Sequence, residues 1–582
     1  MSAPSPIRQR KAYHSVAPAI PGALFSSLSI GLATVALAVA VFVIYSPALN
    51  YQFVLDDHRF ISDPRLQSPG HLWEYFTSYV WAQIPGGPLS FYRPFFVLWM
   101  RLNFILSGMS PWGWHLLSIA KHVSVAVLLG LLVWKLLQDR IAALIAGALF
   151  ALHPAQTESV AWVTVPDPLM SAAVLGTLLL FLRYQEHSEV KQLREEQLRK
   201  KSRKQIHSKS KNDFSVVWIT ASVITCLAAL MAKETAIVLP VILFALALIV
   251  PFGKVGEDQA QGAKSLNSRT RAISAFRETL PFLCATVIYL FLRVNALKGQ
   301  SIALTQHLPW STVLLSWPAT LWFYVKVLLW PVRSYAFADP SLTETFSLRN
   351  VFLPGLGVCC AVAILVTGCI WACRKAKRDL PDREAANVGR ALLLGCFLLI
   401  FPILPALNLN ALNPGDFLHG RYVYLPLTGL MLLAAIGWHL VKKGRLFLLS
   451  AAALVAVVCG ILTVSQESMW KDDLTIFTVA HQMAPHNDPV AKNLTRAHVQ
   501  VALSLDDAGR CDEALPIFEQ AIQQYPQDWY AWAGRGECFF KLDDMPRAEQ
   551  SLHRAFELSR EPRVNEEWQQ VRARMGLSSS SE

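Results

Sequence analysis

Two adjacent carboxylates, Asp56 and Asp57, stand in the run Tyr51-Gln52-Phe53-Val54-Leu55-Asp56-Asp57-His58-Arg59, just past an apolar stretch that ends at Tyr45. Neighbouring like charges repel, so in a partly desolvated setting one of the pair should hold its proton to higher pH. Such a carboxylate suits removal of a proton from an attacking hydroxyl. A solvated turn or helix cap is the plainer reading, but ionisable groups at the end of a span are functional by default. Asp56 is the slightly preferred base.

Further groups recur at similar places downstream. His153-Pro154-Ala155-Gln156-Thr157-Glu158, with Asp167 beyond it, reads as a polar turn lining a cleft, as structural hydrogen bonding, or as a metal site. The His153–Glu158 offset is not a standard helical ligand pair, and Pro154 breaks the helix. Lys233-Glu234, at a tip between apolar segments, is either a mutually neutralising pair or an anion site. Arg421, with His419 nearby, begins a span where a cation suits a lipid phosphate at headgroup depth. Arg93, in Tyr92-Arg93-Pro94, offers the same less strongly.

Together these residues suit one reaction. Transfer of a sugar from a lipid phosphate needs a base for the incoming hydroxyl and cations for the departing phosphate. It needs no second carboxylate as general acid, because phosphate leaves as a stabilised anion. No serine elbow, P-loop or dinucleotide fingerprint is present. No metal ligand set and no cofactor are assigned, and a divalent cation stays open as a partner of the carboxylates.

The frame that must position these groups is lipidic. The chain has 582 residues, 53% hydrophobic and only 16% charged, against roughly 25% charged in soluble domains. Apolar segments fall at 24–45, 113–137, 140–153, 167–183, 214–231, 235–251, 277–295, 313–332, 351–373, 388–407, 422–441 and 445–464. The Lys and Arg excess lies between them, in 184–213, Lys254 to Arg277, Arg374 to Arg378 and Lys442 to Arg445. It therefore reports orientation rather than nucleic-acid binding. With these loops and residues 1–23 cytoplasmic, Asp56 and Asp57 lie on the exoplasmic side. An eighth crossing at 313–332 would put Arg374 to Arg378 outside, so either this segment or another short one, such as 140–153, must fail to cross. Segment 313–332, with Pro318, Lys326 and Pro331, is expected to be re-entrant or interfacial. About eleven crossings remain. The first exoplasmic loop, 46–112, is rich in aromatic residues and should form helices on the membrane surface.

The tail carries a repeat. Ala514, Phe518, Ala521 and Pro526 have the spacing of a 34-residue tetratricopeptide unit, and Trp532, Gly536, Phe539, Ala548 and Ala555 follow one period later. Phe477, Ala480 and Pro485 close an earlier partial unit. Such repeats act as a structural cap or dock a partner protein. Cys511 and Cys538 in this tail have no metal-motif spacing, and a disulfide between them is open.

The ordered set of Tyr45 to Asn50, Asp56-Asp57, Tyr92-Arg93-Pro94, His153-Pro154 through Trp162, Lys233-Glu234 and Arg421-Tyr422-Val423-Tyr424-Leu425-Pro426, followed by repeats, resembles the transmembrane and tetratricopeptide-repeat O-mannosyltransferases and their bacterial relatives. These belong to the GT-C glycosyltransferase superfamily. The resemblance implies a polyprenyl-phosphate-sugar donor, transfer on the exoplasmic face of a bacterial inner membrane, and catalysis by Asp56 and Asp57. Arg421, Lys233 and Arg93 would hold the donor phosphate, and His153, Glu158, Glu234, Asp167 and His419 would line the cleft. The chain departs from the family pattern after Trp162, where no Arg precedes Asp167, and at Gly420, where an acidic residue is usual. The acceptor is a protein or a glycolipid, possible partners being membrane lipid and a protein docked on the repeats; a non-catalytic scaffold is the alternative. The expected architecture is all-α: a cytoplasmic segment 1–23, a GT-C-like membrane helical bundle 24–464, a tetratricopeptide α-solenoid 465–575 and a Ser-rich disordered tail 576–582.

Overall fold

In hydrocarbon every backbone polar group must be satisfied internally, which leaves helices or closed barrels. The computed structural model describes residues 27–84, 91–201, 214–248, 268–298, 308–332, 342–411, 418–485 and 487–577, and these contain helices and no strand. Residues 1–23, most of the Lys254–Arg277 loop, the 202–213 part of the basic loop and the last Ser-rich residues lie outside that set.

Helices of ten or more residues are numbered here in chain order. The membrane part comprises α1 (Ser27–Tyr45), α2 (Pro94–Ser107), α3 (Pro111–Leu137), α4 (Arg140–Ala151), α5 (Asp167–Lys201), α6 (Phe214–Ala232) and α7 (Leu239–Leu248). It continues with α8 (Ser268–Ala296), α9 (Trp310–Leu329), α10 (Leu353–Asp379), α11 (Asp382–Ile400), α12 (Tyr424–Leu440) and α13 (Arg445–Glu467). Among the described residues, ten helices are long and apolar enough to cross a membrane. The chain is a multi-pass membrane protein. Their outward faces carry bare Leu, Val, Ile and Phe, such as Val287, Phe291, Ile364 and Leu454, as a lipid-facing surface requires.

Side-chain contacts sort the helix ends into two groups. One gathers Asp57, Glu158, Asp167, Lys233, Glu234 and Arg421. The other gathers Lys135, Asp139, Glu186, His439 and Arg445. Helix α9 does not run between them. Near its start, the Leu308 N–H donates to Asn410 and the Trp317 indole donates to the Leu407 carbonyl. Near its end, Tyr324 meets Tyr422, and Gln466 donates to the Pro331 carbonyl. Residues 407–410, 422 and 466 all belong to the Arg421 end. Although α9 is a continuous 20-residue helix of span length, both its ends therefore sit at the same end of the bundle. Pro318 packs on Gly355 and Trp322 on Gly357 of α10.

Close helix approach supplies packing where hydrophobic drive between helices is absent. At Gly429 of α12 an added Cβ would lie 2.5 Å from the Gly395 carbonyl oxygen of α11. A side chain there would push the two helices apart.

The first loop differs from the expectation of surface-lying helices. Phe60, Tyr75, Val80, Trp81, Phe96 and Trp114 are buried against one another as a small separate core. The buried Arg65 holds it together, donating to Asp63, Ser78 and the Tyr79 and Val80 carbonyls. A guanidinium has enough donors to satisfy several acceptors at once, and this lets an irregular segment bury its backbone. Trp73 remains exposed, as a membrane-interface ring would be.

After α13, helices α14 (Asp473–Met483), α15 (Asp488–Asp507), α16 (Cys511–Gln524), α17 (Trp529–Lys541), α18 (Met545–Ser559) and α19 (Pro562–Arg574) pack in succession. Ala514, Phe518, Ala521, Ala548 and Ala555 are buried at their contacts. The absence of a side chain at Gly534 admits the Phe518 ring, which a Cβ would meet at 2.3 Å.

Candidate active site

Asp57 is the buried member of the carboxylate pair. It is 1% exposed, whereas Asp56 is half-buried at the start of the short helix Asp57–Ile61. The Val54 N–H donates to Asp57 Oδ2 at 3.2 Å, and the Thr164 N–H and hydroxyl donate to Oδ1 at 3.1 and 2.6 Å. Burial nevertheless outweighs these bonds and pushes the carboxyl up to about 7. A carboxyl that titrates near neutrality is chemically able to serve as a general base. The geometry favours Asp57 over Asp56 for that role.

The segment Glu158–Asp167 links Asp57 to His419, Arg421, Lys121 and Lys233. Glu158 Oε1 accepts from His419 Nδ1 at 3.1 Å, and its Oε2 accepts from the Arg421 backbone N–H at 3.0 Å. Burial would raise this carboxyl, but His419 and Arg421 outweigh it and hold it below the usual range. Trp162 lies under the Arg421 guanidinium at 4.5 Å and stacks on Trp470. The Val163 carbonyl accepts from Lys121, and Asp167 accepts from Lys233 Nζ at 2.6 and 2.7 Å. The short helices Pro154–Gln156 and Thr157–Ala161, started by Pro154, hold this segment in a run buried at every residue. His153 Nδ1 accepts from the Ala155 N–H, and burial lowers its pKa to about 4, so it is neutral. Among the described residues these groups do not gather into a metal-ligand set.

Lys233 and Glu234 are not each other's partners. Lys233 pairs with Asp167, while Glu234 is gripped by Arg93 at 2.8 Å and by Arg293 at 3.1 Å. Alternating directions along the chain tip send these neighbours to different helices, which sequence adjacency conceals. Arg93 and Lys233 are thus each engaged by a carboxylate. Lys233 and Arg421 flank one ring, Tyr422, at 5.1 and 5.7 Å. Gly420 has a steric reason: a Cβ there would stand 3.1 Å from Glu158 Oε2.

Four contributors escaped the sequence reading: Thr164, Lys121, Arg293 and Asp473. Lys121 lies buried in α3, close enough to Asp57 and Asp167 to feel both charges. A lysine inside an apolar span was the available signal. Asp473, at the start of the first repeat helix, accepts from the Leu55 N–H at 2.8 Å and pairs with His58 at 3.0 Å. The Lys471 carbonyl accepts from the Gln52 N–H at 2.9 Å. Leu55 has φ +54°, an unfavourable conformation for a branched residue, so the turn before Asp57 needs this external hold. A hydrogen bond to a charged group contributes about 1.5–3 kcal/mol. Asp473→Ala should therefore lower any activity that depends on Asp57 by roughly tenfold while leaving expression and helical content unchanged. A wild-type rate for purified Asp473→Ala would refute the hold.

Several known proteins are similar to this chain. A family model for the tetratricopeptide repeat matches residues 501–559. The protein O-mannosyl-transferase Tmtc1 of Drosophila melanogaster is 28% identical over 524 residues, covering 76% of this chain and 57% of the relative. The mouse protein O-mannosyl-transferase TMTC3 is 26% identical, covering 87% and 52% respectively. The chain thus spans little more than half the length of these curated relatives. Among solved structures, the Archaeoglobus fulgidus oligosaccharyltransferase aligns over 81% of this chain and 60% of its own, at 13% identity and a TM-score of 0.42. Sequence similarity along most of the chain, the repeat match and the multi-pass helical build make it a relative of the transmembrane and tetratricopeptide-repeat O-mannosyl-transferases.

Proposed function

We propose that this protein is a membrane glycosyltransferase that moves a sugar from a polyprenyl-phosphate donor to a hydroxyl of a protein acceptor. Mannose is the sugar named for its relatives. Asp57 takes the proton of the acceptor hydroxyl as its oxygen bonds to the sugar C1. The C1–O bond to phosphate breaks with its electron pair, and polyprenyl phosphate departs. Attack opposite the leaving group inverts the anomeric centre. Arg421, with Lys233 beside it across Tyr422, meets the phosphate. Arg93 braces Glu234 behind them. Positioned cations act most strongly where water is excluded.

The observation that carries this reading is the buried segment Glu158–Asp167. It joins a carboxylate poised near neutral pH to a cluster of cations at one end of a lipid-embedded bundle. In our reading that end is exoplasmic in a bacterial plasma membrane, since the basic clusters Arg374–Arg378 and Lys442–Arg445 follow helices that leave it. The test is reconstitution of the purified chain in liposomes with polyprenyl-phosphate mannose and a Ser/Thr-containing peptide. Mass spectrometry should find the peptide one hexose heavier. No transfer from polyprenyl-phosphate mannose, glucose or N-acetylhexosamine to peptide or glycolipid would overturn the reading.

A further inference from the structure

The repeat region holds a buried cluster that the transfer reaction does not use. Asp506 near the end of α15, Cys511 at the start of α16 and Cys538 in α17 are all buried, and one ligand atom from each lies within 4.8 Å of the others. Both sulfurs approach the same oxygen, Asp506 Oδ1, at 3.1 and 3.0 Å. Lys541 Nζ approaches that oxygen too, at 3.0 Å. Asp506 Oδ2 is buried with no hydrogen-bond partner, although the residue is only 1% exposed. A buried acceptor left unmet is costly, and more so when charged. The arrangement therefore offers two thiols and a vacant carboxylate lone pair to one small volume.

We propose that Asp506, Cys511 and Cys538 bind a thiophilic divalent cation of the zinc type, with a fourth position open to water. Sulfur and nitrogen or oxygen ligands in tetrahedral array are what such an ion takes, with bonds of about 2.3 Å to sulfur and about 2.0–2.2 Å to oxygen. Ligand atoms around it stand roughly 3.3–3.8 Å apart, and here they already lie within 4.8 Å of one another. Charge is conserved in the exchange. Two thiol protons leave as one dication enters, and the Lys541 ammonium balances the carboxylate before and after. Burial raises both thiols, and the ion supplies the positive charge that lets them ionise. Lys541, with its side chain about one-third exposed, marks the way in from solvent. The bound ion would fasten three consecutive helices, α15, α16 and α17.

The test uses the full chain, reduced, in detergent, titrated with cobalt(II) and then zinc(II). One cobalt per chain should bind with the absorption of thiolate-to-cobalt charge transfer, and zinc should displace it. The Cys511→Ser/Cys538→Ser double variant, which keeps the other eight cysteines, should lose that absorption. Because the double variant could fold poorly, the unaltered protein supplies a second measure: zinc should protect Cys511 and Cys538 from alkylation, read by peptide mass. Undiminished cobalt absorption in the double variant, no zinc protection of the reduced thiols, or a Cys511–Cys538 disulfide in the protein as purified would each overturn the assignment.

Discussion

Asp57→Asn should abolish sugar transfer, by a factor of roughly 100 to 10,000, the usual contribution of a positioned general base. Asp56→Asn should retain most of it. The asymmetry follows from burial and bonding: Asp57 is nearly inaccessible and accepts three hydrogen bonds, two of them from Thr164. An amide at this position cannot take a proton. The pH dependence is a separate check. Burial pushes the Asp57 carboxyl up to about 7 and the working form is the ionised one, so the rate should rise with pH through that value and level above it. Stability runs the other way. The unfolded carboxyl releases its proton near 3.9, roughly, whereas the folded one holds it to about 7, so folding stability should fall across that window. Asp57→Asn should remove that slope. Initial rates and chemical denaturation at several pH values measure both. A wild-type rate for Asp57→Asn with full loss in Asp56→Asn would reverse the assignment.

Arg421→Gln should cost roughly 100- to 1,000-fold, the scale of losing a preorganised charge at the leaving group. Arg421→Lys should recover only part of that. A lysine keeps the charge but loses the flat guanidinium that lies over Trp162 at 4.5 Å, and a point cation does not reproduce a planar fork. The Glu158 carboxylate would also lose one of the cations that hold it ionised, leaving His419 as its near neighbour. The expected signature is a raised KM for the lipid donor together with a lowered kcat, and an unchanged KM for the acceptor. Donor kinetics indistinguishable from wild type in Arg421→Gln would remove the phosphate role.

Much of the frame is legible in hydropathy and charge alone, because length, apolarity and Lys/Arg bias are local properties of a span. Charge counting requires one segment not to cross, and Pro318, Lys326 and Pro331 point to 313–332, whose contacts with Asn410, Leu407, Tyr422 and Gln466 lie at one end of the bundle. The site is legible as a set of residues but not as a set of pairs. Lys233 and Glu234 are neighbours in sequence, yet each takes its partner from a distant helix. Thr164 carries no charge and sits among valines, so nothing local marks it as the group that holds the base. The aromatic first loop reads as amphipathic from composition. Its burial depends on Arg65 meeting four separate acceptors, a tertiary fact. Cys511 and Cys538 lack motif spacing because repeat helices, not a loop, bring them together.

The contact between Asp473 and the Leu55–His58 turn redraws the border between the two halves of the chain. Hydropathy ends the membrane part near residue 464, but the ground on which the base rests extends through Trp470 into α14, and α15 adds Ala497 to the same apolar cluster. A truncation at residue 466 would therefore take away part of the support of Asp57 along with the solenoid, and inactivity of such a fragment would say nothing about docking. A cut after Ala508 leaves that ground intact. Beyond it, the repeat helices α16 to α19 add no residue to the apolar cluster under Asp57, so their loss should leave a rate that depends on Asp57 unchanged and report on the repeats alone.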